Sequence, residues 1–314
     1  MFHEERVRLR DESFVRFNIK YIRKILRVTD LFHLRNDKLY KIYYQYILKK
    51  LNDVLSYTWK EYTTLRTQNV SSKNNKKIWV MWWQGYDQAP KVIKRNIKNL
   101  RQLFGDNVIV IDQTNYLRYT NISNNVQNAF NQKYISFTQW SDIIRYNLLR
   151  NHGGLWVDSS VMISEKIKHI PDFFESDFIS LVSRPNTSKF ITQGQWTGWF
   201  IGGEANFGLF VFLDLFFKNY YQKYRETIDY FFADDAATYY LNKDKKFRDL
   251  LKKQSREWNP YSFIENYNSL NSNHIINEFK NNQSYCIQKI TYKFDYNKAK
   301  EGSLAYKIGQ GEIL

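Results

Sequence analysis

The sequence is poor in cysteine, proline and glycine. Its 314 residues contain one Cys, four Pro and 12 Gly. The single cysteine, Cys286, excludes an intrachain disulfide framework and fits a reducing, cytoplasmic compartment. The low Pro and Gly content argues against long low-complexity regions. We therefore expect an ordered chain, long enough for one large domain with an appendage or for two domains.

Long apolar runs and an export signal are also missing. No stretch of 18 uninterrupted apolar residues occurs, so no transmembrane helix is expected. The N-terminal MFHEERVRLRDESF carries charges where a signal peptide needs an apolar core, so export is not expected. The sequence has no G-x-S-x-G elbow, no Walker loop and no zinc-ligand spacing of its five histidines. Hydrolase, NTPase and zinc-protein functions therefore lack support.

Positive charge is abundant and unevenly distributed. The formal net charge is +16, and the first 77 residues hold 18 Lys and Arg against eight Asp and Glu. Such a basic segment fits a polyanion, an anionic membrane surface or simple solubility. A nucleic-acid binder would use the charge and the 18% aromatic residues for phosphate contacts and base stacking. However, no RNP, KH or helix-turn-helix pattern occurs, so no nucleic-acid partner is expected.

Residues 1–76 are predicted to form a basic helical N-terminal subdomain. Residues 13–29 have helical periodicity with one apolar face, formed by Phe14, Phe17, Tyr21, Ile25 and Val28. The opposite face is basic and comprises Arg16, Lys20, Arg23, Lys24 and Arg27. Residues 38–67 continue in a helical pattern, and the polar loop 71–77 predicts the subdomain boundary. Helix 13–29 either lies on an anionic membrane leaflet with its apolar face down, or packs on the rest of the chain with a solvated basic face.

Residues 77–314 are predicted to form an α/β domain. Strands are predicted at 77–85, 107–112 and 155–163 and helices at 89–105 and 138–151, with a short helix around 122–132. Alternation of strands and helices is typical of βαβ units with a parallel sheet. Ligands bind such sheets beyond the carboxyl ends of the strands. This places Trp82, Gln84 and Asp158 on one rim.

The stretch TQWSDIIRYNLLRNHGGLWVDSSV, residues 138–161, carries the most specific pattern. Asp142 and Arg145 share a helix face, and by spacing alone they predict a surface ion pair worth ~0.3–0.5 kcal/mol. The whole stretch resembles the capsular polysaccharide synthesis proteins and the related sugar transferases of glycosyltransferase family 32. Those have S-D-x-x-R-x-x-x-L-x-x-x-G-G, then hydrophobic-aromatic-hydrophobic-D-x-D. The matching residues are Ser141, Asp142, Arg145, Leu149, Gly153, Gly154, Leu155, Trp156, Val157 and Asp158.

The resemblance covers about residues 77–293 and implies both a fold and a reaction. It implies a GT-A-type, Rossmann-like nucleotide-sugar-binding domain. It also implies a retaining hexosyltransferase, using a UDP-hexose of the galactose or glucose type. The acceptor would be a hydroxyl of a lipid-linked glycan in capsular or exopolysaccharide synthesis, which places the protein in the cytoplasm, peripheral to the membrane. The alternative is a catalytically degenerate scaffold of a polysaccharide assembly complex.

By resemblance, several residues would bind the donor. Trp82 would stack on the base, with Gln84 beside it, although core packing explains Trp82 equally well. Ser141, Asp142 and Arg145 would hold the sugar hydroxyls, since charged groups make strong hydrogen bonds to a polyol. Asp158 would lie beside the sugar, the ribose or a metal.

The chain departs from the family pattern directly after Asp158, where D-x-D is replaced by Asp158-Ser159-Ser160. Either Asp158, Ser160 and acids such as Asp234 or Asp235 hold Mn²⁺ or Mg²⁺, or cations neutralise the diphosphate. Lys289 and Lys293 are candidates for the second route. The stabilisation that a metal gives a departing diphosphate favours retained metal binding.

Two further segments are candidates for the acceptor side. Asp234 and Asp235 in FFADDAAT would act as a base or orient the acceptor; as a pair in a loop they also fit helix caps or a solvated turn. Trp196 and Trp199 in GQWTGWF would stack on the apolar face of the acceptor or donor sugar. Two core tryptophans would give the same sequence pattern.

Overall fold

The computed structural model describes residues 2–31, 37–66, 76–170, 176–182, 189–254 and 258–314. The helices are α1 (Phe2–Leu31), α2 (Asp37–Arg66), α3 (Lys91–Phe104), α4 (Asn124–Asn131), α5 (Phe137–His152), α6 (Gly208–Lys223), α7 (Phe232–Lys243), α8 (Lys245–Lys253), α9 (Ser262–Glu265), α10 (Asn273–Asn281) and α11 (Leu304–Gln310). The strands are β1 (Ile78–Met81), β2 (Val108–Ile111), β3 (Gly154–Val157), β4 (Val161–Ile163), β5 (Phe178–Ser180), β6 (Phe200–Gly203) and β7 (Ile287–Lys289).

The central sheet is mixed and has the order β2-β1-β3-β6-β5. Strand β1 pairs in parallel with β2 and β3, as the βαβ pattern predicts. Strand β6 is antiparallel to both β3 and β5. The short apolar sequences IWVM, VIVI and GLWV suit such a sheet because it is buried on both faces.

Helices cover both faces of the sheet and create two cores. Side chains alternate along β1, so Ile78 and Val80 face one core and Trp79 faces the other. The first core includes α3 and α11, whereas the second includes α2, α5, α6 and α7. The expected α/β class is confirmed.

The predicted single strand 155–163 is wrong in one respect, because it is two strands in two different sheets. β3 belongs to the central sheet, and β4 pairs antiparallel with β7. A turn at Asp158 separates them, closed by the bond from the Val161 N–H to the Asp158 carbonyl, 3.0 Å. The Asp158 N–H donates to the Trp199 carbonyl, 2.9 Å, so the chain leaves the central sheet at this residue.

Helices α1 and α2 pack beside the sheet domain. The buried face of α2 joins the core of α6 and α7 and includes Tyr40, Tyr43, Tyr44, Ile47 and Leu51. The predicted boundary loop, 71–77, lies mostly outside the described residues. None of the described helices is long and apolar enough to cross a membrane.

The packing face of α1 differs from the expected one. Ile19 and Leu26 are buried, with Val15 and Ile22 packed beside them. The aromatic face, for which the sequence left membrane binding and packing on the domain as alternatives, is exposed, with Phe17 66% accessible. The helix carries two apolar stripes, and contact with the core buries the aliphatic one, so the idea that the aromatic face packs on the domain is wrong.

Candidate functional site

Three elements meet at the carboxyl end of β3. Helix α5 supplies Asp142 and Arg145, the turn directly after β3 supplies Asp158, and β7 supplies Lys289. The connection from α5 to β3 depends on Gly153, whose φ is +64°. A Cβ there would lie 2.6 Å from the Ala205 nitrogen, so only glycine allows this close turn.

The four charged side chains form one continuous chain of ion pairs. Arg145 donates to Asp142 at 2.7 Å and to Asp158 at 3.2 Å. Lys289 Nζ donates to the other oxygen of Asp158 at 2.7 Å. The Arg145 and Asp142 side chains are only 8% and 18% exposed. The Asp142–Arg145 pair is therefore not the solvated surface pair that its spacing alone would predict.

The predicted metal ligands Asp158 and Ser160 share a partner that is not a metal. Lys289 Nζ lies 2.7 Å from Asp158 Oδ2 and 2.8 Å from Ser160 Oγ. An ammonium group thus occupies the position where a cation would bridge the two side chains. Among the described residues no group of three or more His, Cys, Asp and Glu could hold a metal. A Mn²⁺ or Mg²⁺ ion between Asp158 and Ser160 would have to displace the Lys289 ammonium, and metal binding by these two residues stays a prediction.

The pKa values of the two carboxyl groups shift in opposite directions. Burial alone would raise the pKa of Asp158, but Lys289 and Arg145 outweigh it and the pKa is lowered. Burial raises the pKa of Asp142 to about 6; Arg145 opposes this rise and the charge of Asp158 adds to it. Asp158 is therefore a fixed anion that holds two cations, whereas Asp142 titrates close to neutral pH.

A cavity of about 390 Å³ lies beside this cluster. Its wall includes Trp196, Trp199 and Asp234, which the sequence predicts to lie on the acceptor side. Lys289 Nζ lies 5.4 Å from the centre of the Trp199 ring. Trp196 is 2% exposed and donates from Nε1 to Asp234, 2.9 Å. Trp199 therefore joins the cavity to the ion-pair chain, while Trp196 is a core residue at the cavity wall.

Asp234 and Asp235 lie in the first turn of α7, not in a loop, and their surroundings differ. Burial raises the pKa of Asp234 to about 7, opposed by the hydrogen bond from Trp196. Asp235 is 0% exposed, and neither of its carboxyl oxygens has a hydrogen-bond partner within the described part of the chain. Burial, with the charges of Asp229 and Asp234, raises the pKa of Asp235 well above its usual range. Asp234 reaches the cavity wall, and Asp235 does not line it.

In the part of the chain that the structure describes, the side chains of the remaining residues predicted to bind the donor form no hydrogen bond or ion pair with the ion-pair chain. Trp82 packs edge-on against Tyr292 with ring centres 5.2 Å apart, and its buried Nε1 has no partner among the described residues. Gln84 is exposed in the turn after β1, and Lys293 is exposed next to Tyr292. Ser141 is half-buried on α5, one residue before Asp142. The roles of these four residues in donor binding stay predictions.

Two aromatic residues of the site were missed in the sequence. Trp156 Nε1 donates to Asp158 at 2.8 Å, and Tyr261 accepts from Trp199 Nε1 at 3.2 Å. Trp156 could have been found, because residues two apart on a strand share a face and Trp156 precedes Asp158 by two. Tyr261 lies 62 residues from Trp199, and no local signal links them.

Comparison with known proteins gives one match. A family model described as capsular polysaccharide synthesis protein matches residues 29–308. The match includes every charged residue of the ion-pair chain and the whole cavity wall. No curated protein and no solved structure matches the chain significantly.

Proposed function

The chain belongs to the capsular polysaccharide synthesis protein family, and from this premise we propose that it is a retaining glycosyltransferase. It moves a hexose from a nucleotide diphosphate sugar to a hydroxyl of a lipid-linked glycan. In the reaction the bond between the sugar C1 and the phosphate oxygen breaks, and a bond from C1 to the acceptor oxygen forms on the same face. The leaving phosphate takes the proton of the acceptor hydroxyl.

The chain of ion pairs from Asp142 to Lys289 is the observation that carries this proposal. Glycosyl transfer builds negative charge on the departing diphosphate, and cations already fixed in place stabilise such charge best. Arg145 and Lys289 each bond to a different carboxylate oxygen of Asp158. Asp158 would thus position both cations, and Asp142 would accept a hydrogen bond from a hydroxyl of the sugar.

We assign neutralisation of the diphosphate to Lys289 and Arg145, with Lys293 as an exposed second lysine nearby in sequence. The family motif usually places an acid where this chain has Ser160, and Lys289 bonds to that serine. A lysine in place of a divalent cation supplies a single charge and three donors. Donor binding should therefore survive removal of divalent metals.

The acceptor would enter the cavity beside Trp199. An indole face suits the apolar C–H surface of a sugar ring, and Asp234 at the same wall can accept a hydrogen bond from a hydroxyl. With a pKa of about 7, Asp234 changes charge in the physiological range and can orient the acceptor or take up its proton.

A panel of UDP-sugars, read by thermal shift and by donor hydrolysis, tests the proposal. We expect one UDP-hexose to stabilise the protein equally in EDTA and in Mn²⁺. Asp158→Asn and Lys289→Met should each remove that stabilisation, because each breaks the ion pair between Asp158 and Lys289. The exposed Lys300→Met is the matched control and should retain it.

Other outcomes separate the alternatives. Stabilisation that requires Mn²⁺ would refute the lysine assignment but keep the transferase. Binding of a UDP-sugar without hydrolysis or transfer to any glycan would favour the degenerate scaffold. No shift with any nucleotide sugar would overturn the transferase, and salt-sensitive binding of an oligonucleotide in its place would show a nucleic-acid binder.

A further inference from the structure

The proposed site does not use the exposed apolar stripe of α1. The stripe comprises Phe14, Phe17, Tyr21, Ile25 and Val28, which are 44–66% exposed. The rings of Phe17 and Tyr21 stack on each other at 6.3 Å. From Phe14 to Val28, 14 positions further along the helix, the stripe is about 21 Å long. Five large apolar side chains in a row are more than the scattered exposed residues of an ordinary surface.

The stripe belongs to a helix with three distinct faces. The aliphatic face of Ile19 and Leu26 is buried in the core, so it already has its partner. A third face carries Arg16, Lys20, Arg23, Lys24 and Arg27. Because the aliphatic face fixes the rotation of α1, the aromatic stripe cannot turn inward without unpacking the helix.

The basic face lines a cavity of about 600 Å³ between α1 and the segment 227–230. We call this the cationic cavity. Its wall contains five cationic side chains and a single carboxylate, Asp229, which pairs with Arg23 at 3.0 Å. Lys20, Lys24 and Arg27 are exposed, and none of them forms an ion pair with another described residue. The cavity therefore has uncompensated positive charge suited to a phosphate group.

The aromatic stripe and the cationic cavity together indicate what binds this surface of α1. A helix lying in the headgroup region buries aromatic and aliphatic side chains and presents Lys and Arg to anionic lipid. A protein partner would account for the stripe but not for an adjacent cavity with three unpaired cations. We propose that α1 docks the protein on an anionic membrane, with the aromatic stripe among the acyl chains and a lipid phosphate in the cationic cavity.

The docking surface is connected to the proposed active site. The Arg23 guanidinium lies 5.1 Å from the Tyr230 ring and 4.7 Å from the Phe231 ring. Tyr230 lines the cationic cavity, whereas Phe231 and Asp234 line the site cavity. Residues 229–234 thus border both cavities, so docking through α1 would hold the segment beside the site cavity against the membrane-bound helix. A lipid-linked acceptor would reach the site more readily on a docked protein, and this advantage rests on the proposed function. Membrane docking itself does not rest on it.

Vesicle flotation of the full-length protein tests the proposal. We expect the protein to float with phosphatidylcholine vesicles that contain one third phosphatidylglycerol, and to bind pure phosphatidylcholine at least ten-fold more weakly. Phe17→Ser with Ile25→Ser should lower the partition coefficient at least ten-fold. Lys20→Gln with Lys24→Gln should lower it by roughly five-fold for each charge removed.

Matched controls lie elsewhere on the surface. Leu117→Ser with Leu270→Ser removes two residues that are 61% and 52% exposed, and Lys252→Gln with Lys298→Gln removes two exposed charges. Both pairs should bind vesicles like the unaltered protein. All the substituted side chains are exposed, and unchanged melting temperatures would show that the variants are folded.

Three results would overturn the proposal. The first is no flotation with either vesicle, and the second is flotation unaffected by the stripe variants. The third is a dimer in sedimentation that the stripe variants abolish, since the occupant would then be a second copy of the chain. Inorganic phosphate that raises the melting temperature without any flotation would assign the cationic cavity to a soluble phosphate. The UDP-sugar shift, measured without vesicles, reports separately on the proposed function.

Discussion

Asp158 shows how a single side chain organises the site. It accepts hydrogen bonds from Arg145, Trp156 and Lys289, three residues of three different elements. A carboxylate that holds two cations in a half-buried setting lowers its own pKa and keeps the cations oriented. Asp158 holds the first acid position of the family pattern, and Lys289 bonds both to it and to Ser160 at the last position.

The pH dependence of activity should report on Asp234. Its pKa is raised to about 7, so it is protonated below that pH and charged above it. If the carboxylate assists the acceptor, transfer should rise as pH increases from 6 to 8. Asp234→Asn should lower the rate by 10²–10⁴-fold, as is typical of a lost acid–base group, and flatten the profile.

Trp196→Phe provides the control for that profile. The hydrogen bond from Trp196 lowers the pKa of Asp234, so its loss should move the rise in activity to higher pH without abolishing it. A profile that does not move in the Phe variant, or persists in Asp234→Asn, would exclude Asp234 as the titrating group.

Asp235 should affect stability and not catalysis. Its folded pKa is raised well above its unfolded value, so the folded state favours the protonated acid. The stability contributed by this neutral form is complete below about pH 4 and is lost as pH rises toward the folded pKa. Asp235→Asn, which cannot ionise, should therefore melt at a higher temperature than the unaltered protein at pH 8.5, with a smaller difference at pH 5. Loss of transfer activity in a well-folded Asp235→Asn would restore the predicted catalytic role.

At the scale of elements, the pairing of β3 with β6 determines where Asp158 lies. Gly202 opposes Leu155 in this pair. A Cβ on Gly202 would lie 2.8 Å from the Leu155 Cα and closer still to the Gly154 carbonyl oxygen. The two strands can approach this closely only because Gly202 has no side chain.

Gly202→Ala should therefore disturb both stability and the site. The methyl group meets backbone atoms that cannot rotate away, so we expect a loss of about 1–3 kcal/mol in the free energy of unfolding. Donor-induced stabilisation should weaken as well, because Asp158 follows β3 directly. Urea denaturation and the UDP-sugar shift measure the two effects. Gly302→Ala is the comparison for donor binding. A Cβ there meets no atom within 4 Å, but the φ of +76° strains an alanine by about 1–2 kcal/mol, so stability should fall while donor binding stays unchanged.

At the scale of the whole molecule, one buried ion pair ties α1 to the segment that separates the two cavities. Arg23 and Asp229 are 15% and 1% exposed in their side chains. Asp229 also accepts from the Tyr43 hydroxyl of α2 at 2.7 Å. Asp229 thus connects both N-terminal helices to the segment between the two cavities.

Replacing Arg23 should lower the stability of the protein, because it removes the ion pair between α1 and Asp229. Arg23→Met leaves the buried Asp229 without its charged partner, which typically costs about 3–5 kcal/mol. We expect a melting temperature lower by several degrees, whereas Lys20→Met, one turn away and unpaired among the described residues, should melt normally. Calorimetry of both variants decides this. Equal melting temperatures would show that the pair contributes nothing to folding.

The sequence by itself determined the α/β class, the helix and strand around Asp142 and Asp158, and the family. These follow from local periodicity and from ten positions within 18 residues. The tertiary structure alone decided that Lys289 bridges Asp158 and Ser160 across 131 residues, and that the predicted strand 155–163 divides between two sheets. It also decided which stripe of α1 is buried. Periodicity in the sequence identifies the apolar faces of a helix. Which face is buried, and which charged side chains form ion pairs, depends on contacts between segments that are distant in the sequence.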